Sequence, residues 1–135
     1  MSFVIDTSIT LAWLYDDERT EAIERVLELV HGAGACVPAI WHLEVANGLL
    51  QGIKQRRIDR KWRTHAMSNL REMNIVVDPQ TNEFAWSDTL SLADRFGLTM
   101  YDASYLELAQ RKAFPLATLD RQLRAAGQKL GVILL

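Results

Sequence analysis

Four carboxylates, Asp6, Glu44, Asp102 and Asp120, stand where short apolar runs give way to helices. Asp6 follows Phe3-Val4-Ile5 and Asp120 follows the run from Pro115 to Leu119, so both fall at carboxyl ends of expected parallel strands and face one edge of the sheet. Glu44 and Asp102 fall in the first turns of helices, which open on that same edge if the crossovers are right-handed. Two unit charges ~4 Å apart near a protein surface repel by about 4 kcal/mol, so converging carboxylates need something positive among them. No lysine or arginine adjoins all four in the sequence. Oxygen ligands without a cysteine or histidine cluster select Mg2+ or Mn2+ over zinc. One or two such ions suit phosphodiester hydrolysis, because they lower the pKa of the attacking water and stabilise the pentavalent phosphate. A metal-dependent nuclease is the chemistry that this pattern points to. Taken singly, each acid has an ordinary role as a helix cap or a solvated helix residue, and only their shared edge sets them apart.

The elements that must position these acids alternate along the chain. Phe3-Val4-Ile5 reads as a strand and Ile9 to Tyr15 as a helix. Thr20 caps a second helix with Ile23, Val26, Leu27 and Val30 at helical spacing, which ends at Gly32 and Gly34. Ala35-Cys36-Val37 is a second strand, and Pro38 leads into a helix carrying Trp41, Glu44, Val45, Gly48 and Leu49, weakened at its far end by Gly52. Asp59 caps a helix to about Met73, and Ile75-Val76-Val77 is a third strand. Thr81 or Asn82 caps a helix that ends at Gly97. A strand-like Leu98-Thr99-Met100 leads into a helix from Tyr101 to about Lys112. Pro115 to Leu119 is a fourth strand, Arg121 to Ala126 a helix stopped by Gly127, and Val132 to Leu135 a terminal strand. Short, continuously apolar strands alternating with helices predict one α/β domain over residues 1–135, a three-layer α/β/α sandwich with a central parallel sheet. Ligands of such sheets bind beyond the carboxyl ends of the strands, near a switch in strand order.

Composition narrows the class. The chain has 135 residues, 49% apolar and 24% charged, enough for one buried core and too few for two. The lone Cys36 can form neither an intrachain disulfide nor a zinc-finger spacing, which fits a reducing compartment. MSFVID lacks the features of a secretory leader, and no apolar run approaches the ~20 residues of a membrane helix, so a cytoplasmic protein without a membrane partner is expected. Net charge is −2, divided into −6 over residues 1–50 and +4 over residues 51–135. Six bases crowd between Lys54 and Arg63 against one acid, Asp59.

The segments VIDTS around Asp6, WHLEVANGLL around Glu44, LTMYDASYLELA around Asp102 and LATLD ending at Asp120 resemble the PIN-domain ribonucleases. More narrowly, nearly the whole chain resembles the VapC toxins of bacterial and archaeal type II toxin-antitoxin systems. The resemblance implies that Asp6, Glu44, Asp102 and Asp120 form an acidic quartet binding Mg2+ or Mn2+, Asp6 and Asp102 directly, Glu44 through water, and Asp120 on the side of a second metal. It implies an endoribonuclease leaving 5′-phosphate and 3′-hydroxyl ends. It implies a cognate antitoxin whose carboxyl-terminal segment wraps the domain and places a basic side chain in the acidic site. It also implies a homodimer through the first helices, with RNA as substrate. Ser8 and Thr118 stand two residues from Asp6 and Asp120, where hydroxyls can hold a metal-bound water, orient a carboxylate or merely cap a turn. Asn47, one turn after Glu44, can fix its carboxylate or cover a loop.

Other residues weigh less. His31, His42 and His65 lack metal-ligand spacing, and Trp13 and Trp41 share helix faces with apolar neighbours. Trp62 among Arg60, Lys61 and Arg63 is an aromatic within a basic stripe, a pattern that tracks an RNA backbone or simply lies on a solvated helix face. Asp16, Asp17 and Glu18 form an acidic corner between helices. A haloacid-dehalogenase-like phosphatase needs a second aspartate where Ser8 stands. A receiver module needs paired acids near the end of the first strand and a lysine after the last one, but Asp6 is alone and Lys129 comes too early. A PIN-like module that binds RNA or a partner without cutting is the remaining alternative.

Overall fold

In the computed structural model, which describes residues 2–135, four short parallel strands form the central sheet. They are β1 (Phe3–Ile5), β2 (Ala35–Val37), β3 (Ile75–Val77) and β4 (Leu116–Ala117), in spatial order β3-β2-β1-β4. The helices are α1 (Thr7–Leu14), α2 (Glu21–Ala33), α3 (Trp41–Lys54), α4 (Arg60–Glu72), α5 (Thr81–Phe84), α6 (Asp88–Phe96), α7 (Met100–Lys112) and α8 (Arg121–Leu130). β1 and β2 are buried throughout, which is why their sequences are unbroken apolar runs. α7 packs on β1 and, with α6 and α8, forms one helical layer, while α1 packs with α2 and α3 on the other. The three-layer α/β/α expectation holds. The chain steps from β1 outward to β2 and β3, then returns to place β4 on the other side of β1. The switch in strand order therefore lies between β1 and β4, which is where a parallel sheet of this kind is expected to take a ligand, beyond its carboxyl ends.

α7 is the central helix. Every residue from Ala103 to Ala109 is buried, so it has no solvated face over two turns, unlike a surface helix with a single apolar stripe. Arg111 in its last turn donates to Glu107 (2.7 Å) and to Asp78 just after β3 (2.5 Å), tying the edge strand to this helix. Single-sequence reading treats those three residues as unrelated.

The structure departs from the sequence expectations at several places: among them, α1 begins at Thr7, β4 is only Leu116–Ala117, and α5 follows Gln80 with no side-chain cap from Thr81 or Asn82. The helix expected from Thr81 to Gly97 is two, α5 and α6, parted at Ala85–Ser87, where Trp86 is 92% exposed and buries nothing that would hold a continuous helix. Leu98-Thr99-Met100 is no strand, because Thr99 is the cap of α7, its hydroxyl accepting the Asp102 N–H (3.1 Å). Gly127 lies inside α8, packed under Leu134, and the helix stops at Gly131, whose φ of 84° suits a residue without a Cβ. The terminal strand shrinks to one bridge, Leu116 with Leu134.

Gly52 is buried within α3 against Tyr15 and Ile58, and a Cβ there would run into the Tyr15 hydroxyl. Helix propensity alone predicts that Gly52→Ala gains about 1 kcal/mol. Overpacking costs about 1–3 kcal/mol. Tyr15 cannot move aside cheaply, because its ring is stacked on Trp62 and covered by Arg57. Urea unfolding should therefore show Gly52→Ala less stable than the parent by about 1 kcal/mol, the sum of these opposed effects.

Candidate active site

Four helix N-termini present the acids to the crevice. Asp6 caps α1, accepting the Ile9 N–H (3.0 Å) through Oδ1, and Asp120 caps α8, accepting the Leu123 N–H (2.8 Å). Asp102 and Glu44 sit in the first turns of α7 and α3. Helix N-termini carry partial positive charge, which favours carboxylates at all four positions. The register of β1 with β4 sets Ile5 opposite Ala117, so the next residues along, Asp6 and Thr118, also meet. Thr118 Oγ1 donates to Asp6 Oδ2, and Ser8 Oγ donates to Asp6 Oδ1 (2.6 Å). Both hydroxyls thus orient a carboxylate, one of the roles open to them from the sequence.

Asp6 is only 4% exposed. Burial pushes its carboxyl above the usual range, the hydrogen bonds from Ser8, Thr118 and Ile9 pull it back, and the charge of Asp120 raises it further. Asp102 is raised as well, first by burial, then by Asp120 and Asp6. The three aspartates therefore lie within electrostatic reach of one another. Glu44 is not among the charges that raise Asp6 or Asp102, and it is held by hydroxyls, its Oε1 accepting from Tyr105 Oη (2.6 Å) and Thr7 Oγ1 (3.2 Å). Burial and the Glu44 bond both push the Tyr105 phenol upward, so it remains a protonated donor.

Thr7 and Tyr105 were missed by sequence reading, although both carry a signal: Thr7 adjoins Asp6, and Tyr105 lies three residues after Asp102 on the same helix. Asn47 is exposed and is not what fixes Glu44. His31 and His65 line a separate cleft with Trp13, and His42 lies edge-on to Trp41 (4.9 Å). Trp62 stacks on Tyr15 at 5.3 Å, while Arg57 covers that ring and donates to Asp17 and Glu18 (both 2.8 Å). Part of the basic stripe and the acidic corner thus neutralise each other.

The donor set suits a hard cation. Ion pairs among the described residues all lie elsewhere, so none joins a lysine or arginine to Asp6, Glu44, Asp102 or Asp120. Among the described residues no three Asp, Glu, His or Cys side chains are grouped closely enough to hold a metal ion, so the fit is one of donor chemistry and not of a formed cage.

A sequence model described as the PIN domain matches residues 3–129. The chain belongs to the PIN domain family. Ribonuclease VapC3 of Pyrobaculum aerophilum is 29% identical over 123 residues, covering 91% of this chain and 92% of that protein. The crystal structure of PAE2754 from the same organism superposes with a TM-score of 0.70 at 25% identity, over 99% of this PIN domain chain and 83% of its own. VapBC2 from Rickettsia felis, solved with a DNA fragment from its promoter, gives 0.64 at 16% identity, over 100% and 98%, a likeness of PIN fold alone.

In the PIN crevice the raised carboxyl of Asp102 fixes a pH dependence. A raised pKa means that the folded chain keeps a proton the unfolded chain has lost, so stability falls as pH rises from the ordinary aspartate range through the folded-state value. Asp102→Asn removes that loss. In metal-free buffer its thermal midpoint should exceed the parent's at pH 7, with the gap closing as the pH falls below the ordinary aspartate value.

Proposed function

We propose that this chain is a Mg2+- or Mn2+-dependent endoribonuclease acting as the toxin of a toxin-antitoxin pair. The observation that carries the reading is the crowding of Asp6, Asp102 and Asp120 at the β1–β4 switch of a PIN domain, with each aspartate at a helix N-terminus. The similarity to a protein named a ribonuclease supports the activity, and the likeness to VapBC2 supports a protein partner.

Asp6, Asp102 and Asp120 would hold the ion, with Glu44 reaching it through water. The ion, when bound, supplies a more acidic attacking water and offsets the charge that develops on the phosphate. Ser8 and Thr118 hold the Asp6 carboxylate at a fixed orientation, each engaging one of its oxygens. Tyr105 and Thr7 both bind Oε1 of Glu44, so its rotamer is set and Oε2 is left for water. A basic side chain of an antitoxin seated among these carboxylates would form charge-assisted hydrogen bonds and block the site. The single domain would work in the cytoplasm, as a homodimer when free of its antitoxin.

Antitoxin-free protein should cut structured total RNA in Mg2+ or Mn2+, stop with chelator, and lose at least about 100-fold in rate as Asp102→Asn, a larger loss than removing an outer-shell partner of a metal ligand brings. Metal binding without cleavage of any RNA would turn the reading to a non-catalytic PIN module that binds RNA or a partner. Thr118→Val, which leaves every carboxylate in place, should slow cleavage about tenfold with far-ultraviolet circular dichroism unchanged.

A further inference from the structure

Three of the four acids are each preceded by a large apolar side chain left in water. Leu43 before Glu44 is 75% exposed, Tyr101 before Asp102 is 60% exposed, and Leu119 before Asp120 is 47% exposed. Single exposed apolar residues are ordinary on protein surfaces. These three differ in bordering the same acidic edge, on two sides of it. Tyr101 lies one helical turn before Tyr105, whose hydroxyl bonds Glu44, so Tyr101 belongs to the α3 side of the acids, as does Leu43. Leu119, whose N–H donates to Ser8 Oγ (3.0 Å), lies on the opposite side, between β4 and α8. Core formation does not account for Tyr101, since the buried run of α7 begins at Ala103.

We propose that Tyr101 stacks on an unpaired nucleobase next to the scissile phosphate, and that Leu119 covers the base on the other side. The proposal rests on the ribonuclease reading above and names how that site takes its substrate. The carboxylates can engage a phosphodiester only through a cation and have no means of telling one polymer from another. An aromatic ring at the rim adds affinity for any base, because every base offers a π face. It also demands that the base be unstacked, which selects loops and single strands over duplex RNA. Specificity then lies in the strandedness of the target more than in its sequence.

The test is a cycle of protein and RNA changes. A fluorophore-labelled, mixed-sequence single-stranded RNA is cut by the parent in Mn2+, the cut is mapped, and the same RNA is prepared with abasic ribose at the nucleotides flanking it. Tyr101→Ala should raise KM for the intact RNA about tenfold with a smaller change in kcat, as expected for one lost stacking contact. Tyr101→Phe should keep the parental KM. The abasic RNA should raise the parental KM by a similar factor and add nothing further to Tyr101→Ala. An unchanged KM in Tyr101→Ala, a Tyr101→Phe variant as poor as the alanine, or penalties that simply multiply would each overturn the proposal. So would a Tyr101→Ala effect confined to sedimentation mass, which would assign the ring to a contact between proteins. A parent that cuts no RNA with either cation would overturn the ribonuclease reading itself, whereas a parent that cuts without this coupling overturns the stacking alone.

Discussion

Asp6, Asp102 and Asp120 repel one another, and among the described residues none of the three is in an ion pair. The fold holds them together all the same. Asp6 and Asp120 are helix caps, Asp102 lies in a first turn, and each helix N-terminus behind them is anchored to the sheet or the core. Moving any one aspartate away would mean uncapping a helix, at a typical cost of about 1 kcal/mol, or withdrawing a buried element. Local capping and tertiary packing thus sustain a crowding that Coulomb's law opposes. The carboxyls of Asp6 and Asp102 are raised first by burial, and the charges of their aspartate neighbours add to it.

α7 carries much of this arrangement. Its N-terminal turn delivers Asp102, its second turn delivers the Tyr105 hydroxyl to Glu44, and its last turn sends Arg111 to Asp78 beyond β3. One buried helix therefore ties the acids on α3 and α7 to the edge strand of the sheet. On the other side of the switch, Arg124 of α8 donates to the backbone oxygens of Thr118 (3.1 Å) and Leu135 (2.9 Å). Thr118 in turn holds Asp6, so the loop after β4 is fixed from both its backbone and its side chain. Hydroxyls, more than charges, do the orienting: Ser8, Thr118, Thr7 and Tyr105 each hold a carboxylate without adding charge to the crevice.

Much of the fold was legible in the residue order because its signals are local. Unbroken apolar runs such as FVI and ACV mark strands buried on both faces, and Thr20 and Asp59 cap the helices expected of them, whereas neither Thr81 nor Asn82 caps α5. The misreadings fall where local signals were ambiguous. Gly127 looks like a helix stop, yet packing under Leu134 keeps it helical, and a positive φ singles out Gly131 instead. The break between α5 and α6 has no proline or glycine to announce it.

Most of the elements, the family resemblance and the placing of four acids at strand ends and helix starts follow from residue order, because apolar periodicity and capping act over a few residues. Tertiary structure alone decided which groups orient those acids. Thr7 meets Glu44 across 37 residues, Tyr105 meets it across 61, and Thr118 meets Asp6 across 112. Such pairs follow from the strand order β3-β2-β1-β4 and from the register of β1 on β4, which no local pattern encodes. The fate of Trp62 shows the same limit: a basic neighbourhood suggested an RNA contact, and the fold spent one of its faces on Tyr15. Side-chain partners are chosen by how the layers close, and that closure is a property of the whole chain.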